Sequence, residues 1–163
     1  MAMRLTTDRP TVFVTKPYMA SRVTDLVCTF LEDYYSAIFT LERESNENGY
    51  ITVSAEGIAY FVKTVFCAVF GRSVIKIVFS SSGNQYEMRF TFSKPTELDK
   101  ETLAELRSIA QVSGMTLLSG TLDGETVLQL KATKRRTEYI VVYASTDEEI
   151  TNAFRRVFLI PKI

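Results

Sequence analysis

The sequence of 163 residues predicts an α+β fold: a two-layer sandwich in which a mixed, mostly antiparallel sheet carries helices on one face. Three observations carry that reading. Four segments space their apolar residues at i, i+3, i+4 and i+7, as amphipathic helices do. Between them lie short runs of β-branched and aromatic residues, several of them paired across turn residues. No repeat, low-complexity tract or long linker divides the chain, and 46% hydrophobic with 23% charged residues suffices for one core, so residues 1–163 read as a single domain.

Thr11-Val-Phe-Val-Thr15, bounded by Pro10 and Pro17, reads as the first strand. From Ala20 to Tyr35 a helix places Val23, Leu26, Val27, Phe30, Leu31 and Tyr34 on one face. Ser36 to Arg43 and Tyr50 to Val53, separated by the polar Glu44 to Gly49 loop, predict two strands joined as a hairpin. The long helix follows, with Ser54 as N-cap, Glu56 in its first turn and Gly71 placed to end it. Its core face is Ile58, Phe61, Val62, Val65, Phe66 and Val69. The other side stacks Tyr60, Thr64 and Ala68 at i, i+4 and i+8, with Cys67 and Gly71 beside them, and is the side expected to face a ligand. Val74 to Ser80 and Gln85 to Phe92 form a hairpin about Ser81-Ser-Gly-Asn84. After the linker Ser93 to Leu98, Asp99 to Ser113 reads as a helix using Leu103, Leu106, Ile109 and Ala110 and stopped at Gly114. Met115 to Thr121 and Glu125 to Thr133 flank Leu122-Asp-Gly124, whose Asp-Gly pair signals a tight turn. Glu138 to Tyr143 predicts a last strand, and Ser145 or Thr146 caps a last helix carrying Ile150, Phe154, Val157 and Phe158.

Composition excludes several functions. With no histidine, the chain cannot supply Ser/His/Asp or Cys/His catalysis, histidine metal ligation or a phosphohistidine. Nineteen basic and nineteen acidic residues cancel, so no strong field points to nucleic acid or an anionic membrane. Cys28 and Cys67 lie within apolar helical patterns and read as buried, reduced thiols. No apolar signal core opens the chain and no run is long enough to span a bilayer, so a cytoplasmic protein, or the soluble part of a larger one, is the expectation.

From about Met19 to Lys131 the order of elements resembles the ATP-binding domain of sensor histidine kinases, the Bergerat or GHKL fold. Ile58 to Ser73 aligns without a gap with that family's asparagine-box helix, Leu103-Ala-Glu-Leu-Arg-Ser-Ile-Ala-Gln-Val-Ser-Gly-Met115 looks like its last helix and glycine exit, and Ser119-Gly-Thr-Leu-Asp-Gly-Glu-Thr-Val-Leu-Gln-Leu130 looks like its closing strands. The resemblance implies a core over residues 19–131, with the strand and helix of 138–160 as an addition, and a place in two-component signalling. A scaffold alone does not establish function.

The family's chemistry is missing from the matching positions. Its paired asparagines, the second of which offers an oxygen to magnesium, fall on Thr64 and Ala68; a slip by one residue offers only Cys67, a soft ligand. The assisting lysine falls on Gly71, with Arg72 the local cation. Where an Asp-x-Gly-x-Gly loop should hold adenine, the chain reads Phe92-Ser-Lys-Pro-Thr-Glu-Leu-Asp99, and the phosphate-covering lid has contracted into the same linker. The remnant groove is therefore Tyr60, Thr64, Cys67, Ala68, Gly71 and Arg72. The expectation is a degenerate, pseudoenzyme form with ATP and magnesium binding lost, no catalytic residues, and a protein partner or parent sensor chain. Two rivals stand beside it: a functional nucleotide-binding kinase or ATPase domain acting on a partner's histidine, and a small nucleic-acid-binding domain. The second would use Lys131, Lys134, Arg135 and Arg136, which otherwise read as a solvated turn. Asp147, Glu148 and Glu149, with Arg155 and Arg156, fit the charge preferences of the two ends of one helix.

Overall fold

The computed structural model describes residues 13–34, 39–44, 49–69, 73–93, 98–135 and 147–159. Along the chain these form β1 (Lys16–Met19), α1 (Ala20–Tyr34), β2 (Phe39–Arg43), β3 (Tyr50–Val53), α2 (Ala55–Val69), β4 (Ile75–Ser82), β5 (Gln85–Phe92), α3 (Lys100–Val112), β6 (Thr116–Leu122), β7 (Glu125–Arg135) and α4 (Asp147–Leu159). The strands make one sheet in the order β1-β3-β7-β5-β4-β2, with β6 also paired to β7. Every pairing is antiparallel except β2 with β4.

Local chemistry sets the element ends. The Ser54 hydroxyl accepts the backbone N–H of Gly57 at 3.0 Å, and the Asp99 carboxylate accepts that of Thr102 at 2.7 Å, so α2 and α3 are N-capped by side chains. Gly114 ends α3 at φ +82°, a left-handed conformation that suits glycine. At the β6–β7 turn Asp123 and Gly124 have φ of 52° and 80°, the two positive values of a type I′ hairpin.

Strand alternation separates the two faces of the sheet. Ile75, Ile77 and Phe79 of β4, Tyr86, Met88, Phe90 and Phe92 of β5, and Leu128, Leu130 and Ala132 of β7 are buried in one core with the helices. The predicted face of α2 packs on them: Ile58, Phe61, Val62, Val65, Phe66 and Val69 are all buried, and the rings of Phe61 and Phe90 lie 5.8 Å apart. In α1, Val23, Leu26, Val27, Phe30 and Leu31 face the same core, and Thr24 hydrogen-bonds the Tyr86 hydroxyl at 2.6 Å, pairing two buried polar groups. α4 packs against both α1 and α2, with Phe154 and Phe158 5.8 and 5.4 Å from the Phe30 ring. Its predicted face of Ile150, Phe154, Val157 and Phe158 is buried.

Three expectations about strands are corrected. The first strand lies at Lys16–Met19, one step beyond the Thr11 to Thr15 run; Pro17 is tolerated because β1 is an edge strand, and Tyr18 enters the core. Residues 36–43 and 50–53 do not form a hairpin. β2 joins β4 in parallel at one edge, whereas β3 lies between β1 and β7 at the other end of the sheet. Each is short enough to follow whichever side chains find the core, and Phe39 finds Phe66 at 5.8 Å. Finally, 131–135 is no turn, because β7 continues straight to Arg135 and pairs there with Tyr50. The predicted strand at 138–143 and the cap at Ser145 or Thr146 lie outside the described residues. Cys28 and Cys67 are free thiols, half-buried where full burial was expected.

Candidate functional site

The side of α2 opposite the sheet is divided between its two helical neighbours. On the α3 side, Gly57 lies so close to Ser113 that a Cβ added there would sit 1.7 Å from the Ser113 hydroxyl oxygen, so glycine permits the close crossing. Thr64 and Ala68 follow Gly57 at i+7 and i+11, which places them on the same stripe of the helix, toward α3. On the α4 side, Glu56 meets Arg156 at 3.2 Å, and the Lys63 ammonium donates to the Val157 carbonyl at 2.9 Å. Tyr60 lies between the two stripes, half-buried, with the Phe13 ring 6.2 Å away.

Of the groove residues singled out in the sequence, Thr64 is buried and Tyr60, Cys67 and Ala68 are half-buried. Thr64 is only 5% exposed and its hydroxyl has no hydrogen-bond partner among the described residues. Ala68 is half-buried against the core, Cys67 is half-buried, and Gly71 and Arg72 lie outside the described residues. These positions do not fit hydrated magnesium, which takes several oxygen ligands in near-octahedral array. The stripe offers one hydroxyl within hydrocarbon and a methyl group. No cluster of three or more His, Cys, Asp or Glu residues able to hold a metal occurs among the described residues. Residues 94–97, in the linker between β5 and α3, lie outside the described residues.

A second concavity went unrecognised in the sequence. A cleft of about 360 Å³ opens between β1, the start of α2 and α4, lined in part by Lys16, Tyr18, Ser54, Glu56, Glu149 and Arg156. Two ion pairs cross it, Lys16 to Glu149 at 3.0 Å and Arg156 to Glu56 at 3.2 Å. The Glu149 carboxylate raises the Lys16 ammonium above its ordinary pKa, chiefly through their hydrogen bond. With its charges paired across the cleft, this cluster clasps α4 to β1 and α2. The sequence signal was slight: Glu149 and Arg156, at i and i+7, share one face of α4.

The described members of the basic cluster do not share one face. Lys131 and Arg135 point to one face of β7 and Lys134 to the other, because all three belong to one strand. Lys131 stands opposite Glu87, an acid already paired with Arg89. Arg136 lies outside the described residues.

No protein-family model matches the chain, and no curated protein sequence matches it. Solved structures do. Histidine kinase AdeS of Acinetobacter baumannii superposes with a TM-score of 0.58 at 12% identity, over 82% of this chain and 74% of that one. The ATP-binding domain of PrrB from Mycobacterium tuberculosis gives 0.56 at 15% identity, over 74% of this chain and 98% of the domain. Histidine kinase ThkA, solved in complex with the response regulator TrrA, gives 0.54 at 13% identity, over 74% of this chain and 42% of that one. The chain therefore has the fold of the histidine-kinase ATP-binding domain, and identities this low speak to the fold alone. No described helix is long and apolar enough to cross a membrane.

Proposed function

We propose that this domain keeps the histidine-kinase ATPase scaffold without its nucleotide chemistry and acts as a regulatory, protein-binding module in signalling. The observation that carries the proposal is the Thr64 and Ala68 stripe, where the fold's magnesium ligand would stand. One residue has no oxygen to give, and the other is buried on the side that faces α3. A triphosphate brought there without a cation would lose hydration and gain no compensating charge. The family's adenine acceptor and phosphate-covering glycines are also missing from Phe92 to Asp99. Each lost contact weakens binding by about 1–3 kcal/mol, so a micromolar site missing several of them falls beyond the millimolar range.

The partner expected is a protein, as a response regulator is for ThkA. Titration calorimetry with magnesium-ATP tests the nucleotide side of this reading. The expected result is no saturable heat up to about 1 mM, a limit corresponding to about 4 kcal/mol. Saturation in the range of tens of micromolar would restore the reading of a working nucleotide-binding domain.

A further inference from the structure

Among the described residues the sheet has three edge strands, and two of them are defended. β1 carries Lys16 and Pro17, and β2 ends in Glu42 and Arg43; charges and proline discourage edge-to-edge pairing. β6 has neither. Its seven residues, Thr-Leu-Leu-Ser-Gly-Thr-Leu, carry no charge and no proline, and they pair with β7 residue for residue without a bulge. Six of the seven are exposed, including Leu118 at 47% and Leu122 at 59%.

The hairpin fixes which backbone groups are free. In a two-residue I′ hairpin the residues flanking the turn, here Leu122 and Glu125, form a hydrogen-bonded pair, and such pairs recur at every second residue. Leu122, Gly120, Leu118 and Thr116 therefore direct their N–H and C=O groups to β7. Thr121, Ser119 and Leu117 direct theirs outward, where β6 has no neighbouring strand among the described residues.

We infer that this edge pairs with the same edge of a second copy of the chain, forming a two-fold dimer with β6 antiparallel to β6. The register follows from the outward groups. Centring the axis on Ser119 sets Ser119 opposite its own copy and Leu117 opposite Thr121, so each pair consists of outward-directed residues. The same register sets Leu118 beside the bare backbone of Gly120 in the other copy, a large side chain against a small one. Even-numbered residues meet even-numbered residues, which leaves both helix layers on one side of a continuous sheet. Arg107, bonded to the Ser119 hydroxyl at 3.0 Å, brings a guanidinium close to the axis from each copy. Their repulsion opposes association and is screened by salt. One strand pair is a small interface of the weak, transient class, so association sets in at concentrations on the order of 100 μM.

Sedimentation equilibrium of the full chain between about 10 μM and 1 mM tests this, these limits bracketing the expected dissociation constant. The expected result is a reversible monomer–dimer equilibrium that tightens severalfold as sodium chloride rises. Ser119→Pro removes an N–H that points to the partner and leaves the β7 ladder intact. Thr121→Lys places a charge on the edge without constraining the backbone. Both should weaken the dimer at least about tenfold at unchanged melting temperature, and Thr121→Lys serves alone if the proline variant does not fold. A wild-type chain that stays monomeric to 1 mM, growth past the dimer, or a folded Thr121→Lys variant that dimerises like wild type would overturn the inference.

Discussion

At the scale of single residues, Thr64 offers the most direct test of whether the groove is closed. Its hydroxyl is buried without a partner among the described residues, and such a group forfeits its hydration for nothing in return. Thr64→Val keeps the shape and removes the oxygen, so it should stabilise the protein by about 1 kcal/mol in urea unfolding. Thr64→Asn should instead destabilise by about 1–3 kcal/mol, because a larger polar group would enter a buried position. The opposite result, a stable asparagine variant and a weakened valine variant, would mean that the site is wet and open. Two turns earlier, at Gly57, the α2–α3 crossing leaves no room even for a methyl group.

At the scale of elements, α4 is held mainly by its apolar face. Its clasp from Lys16 to Glu149 joins side chains that are 45% and 47% exposed, and exposed pairs contribute at most about 1 kcal/mol. The buried rings of Phe154 and Phe158 against Phe30 outweigh it. Truncation after Arg135 should therefore bare Phe30 and its neighbours on α1 and α2, seen as binding of a hydrophobic dye and as aggregation. A soluble truncated chain of unchanged stability would show that α4 covers nothing. The ion pair has its own signature. Folding raises the Lys16 pKa above its ordinary 10.5, so its contribution is complete below that value and is lost as pH rises through the raised one. The stability difference between wild type and Lys16→Met should be constant around neutrality and close in the alkaline range.

For the whole molecule, the helices and the sheet share one hydrophobic cluster that runs from Tyr18 in β1 to Phe158 in α4. A shared core predicts one cooperative unfolding transition, with calorimetric and van't Hoff enthalpies in agreement. Two resolved transitions would make α4 a separately folding appendage. The core face of α2 and the groove stripe are centred on different sides of one helix and meet only where Ala68 packs on the edge of the core.

The sequence by itself determined the helices and their buried faces, the Ser54 cap, the glycine stop at Gly114 and the I′ turn at Asp123-Gly124. Each of these depends on residues a few positions apart, whose periodicity and backbone preference are written locally. The resemblance the sequence carries implies that Thr64 and Ala68 stand where that family has its asparagines. Only the tertiary structure decided which strands are neighbours, that β2 runs parallel to β4 and not back along β3, and that α4 packs against both α1 and α2. It alone joined Lys16 to Glu149, 133 residues apart in the chain, and left the neutral edge of β6 open among the described strands. Strand partners and helix seats are chosen by competition among distant apolar faces for one core, and alternation within a five-residue strand states which face is buried without naming what will bury it.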